Sequence, residues 1–221
     1  MSLLNGRRFA ALDVETTGWS AREDTILEVA TVTIEAEAIV NEWSSFVGPP
    51  RPVPPETARI LGITSDMLAG APEPREIAAR VRETAADFPL VMHNAPFDLP
   101  FVRRLLQSSG LPPLSNPVID TLGLARGLFG AGGNTLSELA EKLGLPGERF
   151  HRALGDARTT ARLLIQLAPR WESERGVRSL AELAAASQDV VRTTSRRPPP
   201  AARGEPAASP EARERESPGA V

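Results

Sequence analysis

Three short stretches of the chain gather acids and histidines that could do hydrolytic chemistry: Asp13-Val14-Glu15-Thr16-Thr17-Gly18, His93-Asn94-Ala95-Pro96-Phe97-Asp98, and His151-Arg152-Ala153-Leu154-Gly155-Asp156. In a strand, alternate side chains share a face, so Asp13 and Glu15 would project together while Val14 points into the core. Two carboxylates on an otherwise buried strand are costly unless a cation sits between them, and hard oxygen donors suit Mg²⁺ or Mn²⁺. Thr16-Thr17-Gly18 then lets the chain turn away and brings backbone N–H groups close to a ligand. A D-x-E pair also arises about once by chance in a chain of this length, so alone it reads first as a strand end exposed to water and only second as a metal site.

Asp98 falls in the first turn of a predicted helix, where the dipole favours a carboxylate whatever its function. Asn94 is the predicted N-cap of that helix, with Pro96 tolerated just inside. His93 is read as a packed, hydrogen-bonded residue rather than a catalyst. Asp156 opens the last strong helix beside its apolar stripe and is expected to face the sheet, with His151 in the loop leading in. A histidine beside a metal site suits general-base work, its pKa lying close to working pH. Away from such a site the same pair is a surface histidine and a helix-start acid.

The elements that must position these residues follow from periodicity. Residues 7–14, 25–34 and 38–47 read as strands, the last two joined through a turn at Glu35–Glu37, and a proline-rich loop follows (Pro49, Pro50, Pro52, Pro54, Pro55). Helical spacing is expected over 74–87, with Ile77, Ala78, Val81, Ala85 and Phe88 as its apolar stripe. Pro89–Met92 and Val118-Ile119 give two further short strands, and residues 96–109 and Thr121–Phe129 give helices. Thr135-Leu-Ser-Glu138 is a capping box opening a helix that ends near Gly144, and the last strong helix covers 153–169. Antiparallel strands followed by alternating helices and strands imply an α/β fold, a mixed five-stranded sheet with helices on both faces. The expected organisation is one domain over 1–175, a further helix over 176–192, and a disordered Pro/Ala/Arg/Glu-rich tail over 193–221.

Composition narrows the classes. There is no cysteine, which excludes disulfides, thiolate zinc sites and cysteine nucleophiles. No run of about 18 apolar residues is present, and the N-terminus runs almost directly into Asp13, so no membrane partner and a cytoplasmic location are expected. Of the 25 basic residues only Lys142 is lysine, a skew expected from GC-rich coding. The formal charge of −3 argues against extended duplex binding. It is compatible with a small pocket for one strand end, because carboxylates neutralised by divalent cations face phosphates well.

Taken together, the three stretches and their flanks resemble the three motifs of the DEDDh 3′–5′ exonucleases, a group that includes the proofreading epsilon subunit of bacterial DNA polymerase III. The matching residues are Asp13 and Glu15, then Asp98, then His151 and Asp156, with Gly62-Ile63-Thr64 and Asn134-Thr135-Leu136 as supporting similarity over residues 7–169. A sister subgroup places tyrosine four residues before the last aspartate. Here that position is Arg152 and the chain has no tyrosine.

The resemblance implies a ribonuclease-H-like fold and hydrolysis assisted by two Mg²⁺ (or Mn²⁺) ions held by Asp13, Glu15, Asp98 and Asp156. His151 would take the proton of the attacking water. Thr16 matches the family position that contacts the terminal 3′-hydroxyl, and Thr17 and Asn94 are assigned with it to substrate binding. The expected substrate is a nucleic-acid 3′ end, single-stranded DNA first and RNA as the alternative, with nucleoside 5′-monophosphates as products in proofreading or repair. A catalytically silent binding module on the same fold is the third reading. The tail, with Arg196, Arg197 and Pro198–Pro200, is a candidate tether to a DNA polymerase subunit.

Overall fold

The computed structural model describes residues 2–148 and 151–195. Five strands, β1 (Arg8–Thr16), β2 (Ile26–Glu35), β3 (Ala38–Phe46), β4 (Leu90–Met92) and β5 (Val118–Asp120), form one sheet in the order β3-β2-β1-β4-β5. The first three are antiparallel neighbours, whereas β1, β4 and β5 run parallel. The β2–β3 hairpin turns through Ala36 and Glu37, both at positive φ, as a tight turn matched to the strand twist requires.

The helices are α1 (Pro55–Leu61), α2 (Ser65–Leu68), α3 (Pro74–Ala85), α4 (Ala95–Ser108), α5 (Thr121–Phe129), α6 (Leu136–Lys142), α7 (Ala153–Arg175) and α8 (Leu180–Ser195). They cover both faces of the sheet, and β1 shows why. Phe9 and Ala11 join the core beneath α5, α7 and α8, whereas Leu12 and Val14 join the core beneath α3 and α4. The alternation puts Asp13 and Glu15 in line with Phe9 and Ala11, on the face that α7 crosses.

The expected elements are present, with displaced ends. Thr135 and Glu138 form the reciprocal capping box. The proline-rich stretch is not loop throughout: Pro55 sits in the first turn of α1 and left-handed Gly62 closes it, the asymmetry that favours proline at helix starts and glycine just past their ends. Thr64 then caps α2 by accepting from the Met67 N–H at 3.4 Å. α7 runs past residue 169 to Arg175, carrying Pro169 inside it, and stops at left-handed Gly176.

The helix expected over 176–192 is α8, which continues to Ser195; the rest of the tail lies outside the described residues. α8 closes the β5 edge of the sheet. The Asp120 N–H donates to Ser187 Oγ at 3.0 Å and Gln188 Nε2 donates to the Val118 carbonyl at 2.9 Å. Gly123 makes this possible, since a Cβ there would lie 1.8 Å from the Ser187 carbonyl oxygen. Among the described residues no helix is long and apolar enough to cross a membrane.

Candidate active site

The acids converge where β1 and β4 end. Beyond Glu15 the chain leaves the sheet at Thr16, and beyond Met92 it passes through His93 and Asn94 into α4, whose first turn carries Asp98. α7 delivers Asp156 from its own first turn. Ligand atoms of Glu15, His151 and Asp156 lie within 4.8 Å of one another. Asp13 and Asp98 complete the acidic group electrostatically, since burial and then the charges of Asp98, Asp156 and Glu15 hold the Asp13 carboxyl well above the usual carboxylate range.

Its neighbours respond in the same way. Burial first, and neighbouring carboxylates after it, push Glu15 up to about 8. Burial raises Asp98 to about 8 against hydrogen bonds from the Val14 and Asp98 backbone, and raises Asp156 to about 6 despite its bond from the His151 N–H. Clustered acids that resist ionisation in one another's company are a site waiting for positive charge. Asp156 Oδ1 is moreover buried without a hydrogen-bond partner. Clustered carboxylate oxygens are a donor set suited to hard divalent cations, so the acids present fit the metals that the resemblance implies.

This charge pattern dictates a pH dependence. The folded chain retains protons on Glu15 and Asp98 up to about 8, whereas the unfolded chain releases them near 4. The stability they contribute is therefore complete below about pH 4 and is lost as pH rises through 8. His93, lowered to about 4, opposes this trend only below its unfolded value near 6.5. The metal-free protein is expected to melt at progressively lower temperature from pH 6.5 to 8.5. Added Mg²⁺ or Mn²⁺ should restore the midpoint far more at pH 8 than at pH 5.5. Thermal melts with chelator and with metal across that range check this; a metal-free midpoint that climbs from pH 6.5 to 8.5 would refute it.

The two histidines have different surroundings. His93 Nδ1 lies 2.9 Å from Thr121 Oγ1 and Nε2 lies 3.0 Å from the Asn134 carbonyl. Nε2–H donates to that carbonyl and burial keeps the ring neutral, which leaves Nδ1 an acceptor beside the Thr121 hydroxyl. His151 is exposed, at φ 59 in the left-handed region, with its backbone N–H donating to Asp156 Oδ2 at 3.3 Å.

It stands between two cavities. One, of about 310 Å³, is lined by Glu15, Thr16, Trp19, Ile60, Phe97 and His151 among others. The other, of about 500 Å³, is lined by His93, Asn94, Arg126, Thr135, His151 and Asp156 among others.

The residues expected to meet substrate, Thr16, Thr17 and Asn94, line these cavities. Thr16 is buried, its hydroxyl donating to the Gly18 carbonyl at 2.6 Å. Thr17 lines the same cavity, but its hydroxyl donates to Asp24 Oδ1 at 3.1 Å and accepts from the Thr25 N–H at 3.0 Å. Gly18 is needed there because a Cβ would meet the Asp24 carboxylate at 2.6 Å.

Asn94 departs from its expected role as a side-chain cap. It occupies the N-cap position in a left-handed conformation and makes no capping bond. Asp120 caps α4 from β5 instead, accepting from the Asn94 and Ala95 N–H groups at 3.0 and 2.9 Å, and it also caps α5 by accepting from the Leu122 N–H at 2.9 Å.

Sequence reasoning missed Asp120, and it missed Trp19 and Glu28. Trp19 is 89% exposed at the mouth of the smaller cavity, edge-on to Phe97 with ring centroids 5.6 Å apart. A tryptophan directly after the acidic motif and its Thr-Thr-Gly turn was the available signal. Glu28, 3% exposed, sits opposite Glu15 on β2.

The sequence model of the family described as "Exonuclease" (RNase_T) matches residues 10–164. The DNA polymerase III epsilon subunit of Treponema pallidum is 35% identical over 171 residues, covering 76% of this chain and 80% of that protein. The PolC-type DNA polymerase III of Bacillus cereus is 39% identical over 166 residues; the match covers 75% of this chain and only 12% of the polymerase. The structure of Exonuclease X in complex with 5′-overhanging duplex DNA superposes with a TM-score of 0.64 at 30% identity, covering 81% of this chain and 99% of that one. Escherichia coli Exonuclease I in complex with a dT13 oligonucleotide, at 20% identity and a TM-score of 0.67, covers 81% of this chain and 46% of that one and shares the ribonuclease-H-like fold. Matched over most of its described length and over four-fifths of an epsilon subunit, the chain belongs to the exonuclease family, in its DEDD branch.

Proposed function

We propose that the protein is a metal-dependent 3′–5′ exonuclease that releases nucleoside 5′-monophosphates from DNA 3′ ends, in proofreading or repair, in the cytoplasm. The observation that carries this reading is the meeting of Glu15, His151 and Asp156 donors within 4.8 Å, beside two more acids, on the wall between two open cavities. Asp13, Glu15, Asp98 and Asp156 would hold the cations. Two bound Mg²⁺ or Mn²⁺ ions would offset charge on the scissile phosphate and ease deprotonation of the attacking water.

The chain's own groups do the rest. The smaller cavity receives the 3′-terminal nucleoside, with Thr16 toward its sugar and with Trp19 and Phe97 offering faces for its base. His151 accepts the water's proton, and its exposure lets that proton pass on to solvent. Asn94, on the wall of the larger cavity, is assigned to the strand on the other side of the scissile bond. The names of the epsilon and PolC relatives support DNA over RNA and a DNA polymerase as the partner; that the C-terminal segment makes this contact is part of the proposal.

The direct test is digestion of matched DNA and RNA single strands labelled at either end, with Mg²⁺, with Mn²⁺ and with chelator. Mononucleotides should leave the 3′ end, faster from DNA, and only with metal. Internal cuts, 5′-first release or chelator-resistant cleavage would sink the proposal.

Stacking on Trp19 gives a second expectation. In an inactive Asp13→Ala background, Trp19→Ala should weaken binding of a single-stranded 3′ end by about 1–3 kcal/mol, the usual worth of one base on an aromatic ring. Fluorescence anisotropy with a labelled oligonucleotide reads it, and unchanged affinity would remove Trp19 from the substrate path.

A further inference from the structure

Glu28 is a fifth carboxylate at the site that the proposed chemistry does not use. It lies on β2 directly opposite Glu15, and opposite residues of an antiparallel pair project to the same face, where like charges repel. Its carboxylate is occupied by Arg152: Nε lies 2.9 Å from Oε2 and Nη2 lies 2.9 Å from Oε1. Two parallel bonds between planar groups fix orientation as well as distance. The Arg152 guanidinium is also 5.3 Å from the centroid of the Phe46 ring, which limits its freedom further.

The pair acts on the backbone that carries His151. Arg152 is the N-cap residue of α7 but supplies no capping bond. Glu28 Oε2 takes that place from the neighbouring strand, accepting from the Ala153 N–H at 3.4 Å. His151 immediately precedes Arg152 in a left-handed conformation that side chains other than glycine seldom adopt. Three residues before His151, Glu148 is paired with Arg162 at 2.5 Å and with Arg158 at 3.5 Å, both on α7. An exposed histidine thus hangs from a backbone fastened to β2 directly after it.

We infer that Arg152 and Glu28 are positioning residues for His151, fixing where its imidazole meets the attacking water while Arg152 holds the Glu28 carboxylate in a two-point ion pair. This rests on the general-base reading of His151 given above. A displacement of about 1 Å in a catalytic group can cost about 10²-fold in rate, and that is the scale expected here.

The test measures kcat and KM on a single-stranded oligonucleotide with Mg²⁺, together with substrate-free Mn²⁺ binding by calorimetry. Arg152→Ala and Arg152→Lys are made in the full chain, each with His151 present and in a His151→Ala background. With His151 present, Arg152→Ala should lower kcat about 10²-fold while KM and Mn²⁺ affinity stay within about threefold. Arg152→Lys keeps a positive charge beside the buried Glu28, so it reads position apart from folding. It should still lose about tenfold in kcat, because an ammonium cannot reproduce the two-point fork.

In the His151→Ala background, either Arg152 substitution should change kcat by less than about threefold, since residues that act through one another are not additive. Equal losses in both backgrounds, loss of Mn²⁺ binding, or an Arg152→Lys enzyme with undiminished kcat would overturn the positioning role while leaving the general base intact. A His151→Ala enzyme of full rate would overturn the general-base reading itself, and the positioning role with it.

Discussion

Asp13→Asn is expected to abolish hydrolysis and, in the same molecule, to raise the melting temperature of the metal-free protein. Asp13 faces the largest accumulation of like charge in the site: burial and the carboxylates of Asp98, Asp156, Glu15 and Glu28 all disfavour its ionised form. Asparagine keeps the shape and one acceptor oxygen but has no charge to suppress, so the cost of holding this buried group out of its ionised form vanishes from folding. The same charge is what the cations need, and its loss should cost about 10⁴-fold or more in kcat, the scale on which single catalytic groups are felt.

Stability and function are thus opposed at this residue, as they commonly are where a site is built under strain. Melts at pH 8 with chelator should show a rise of a few degrees, about 2–4 °C per kcal/mol for a chain of this size. Added Mn²⁺ should raise the midpoint less in the variant than in the parent. An Asp13→Asn protein that still digests DNA, or that melts below the parent without metal, would contradict the role given to Asp13.

How much of this was legible beforehand depended on whether the signal was local. β1 and α7 each carry their pattern within one stretch, a short apolar run that turns to alternation only over Leu12–Glu15 and helical spacing from Leu154 to Ala168, so both the elements and the faces of Asp13, Glu15 and Asp156 could be read from sequence. The Thr135–Glu138 capping box is likewise complete within four residues.

Asp120 and Glu28 were not legible for the converse reason. Asp120 caps α4 from a strand 25 residues further on, and Glu28 grips Arg152 across a separation of 124 residues. Nothing in a strand-forming Thr-Ile-Leu-Glu-Val-Ala run marks its glutamate as buried. Asn94 misled because its residue type and position are those of an N-cap, while its left-handed backbone leaves the capping to an acid that only the folded sheet brings near. α1 was obscured by proline density, although Pro55 and Gly62 are the residues that start and stop it.

Replacing His151 is expected to separate chemistry from metal binding. If the imidazole takes the water's proton, its removal should lower kcat by about 10²–10⁴-fold, the usual worth of a positioned general base. KM and Mn²⁺ affinity should stay within a few-fold, because Asp13, Glu15, Asp98 and Asp156 remain. The backbone complicates the obvious alanine variant: at φ 59 alanine has a cost that asparagine largely avoids, asparagine being among the residues that tolerate left-handed geometry. His151→Asn therefore removes the base while sparing the loop, and both variants should be slow by similar factors.

Added imidazole supplies the sharper distinction. The side chain is exposed and both adjoining cavities are open, so a free imidazole can enter the space that alanine leaves. Rate recovery in His151→Ala, with little in His151→Asn where the amide fills that space, identifies proton transfer as the missing function. A His151→Asn enzyme with full kcat, or a His151→Ala enzyme that loses Mn²⁺ binding along with its rate, would instead make His151 a group that serves the cations and leave the base to be found elsewhere.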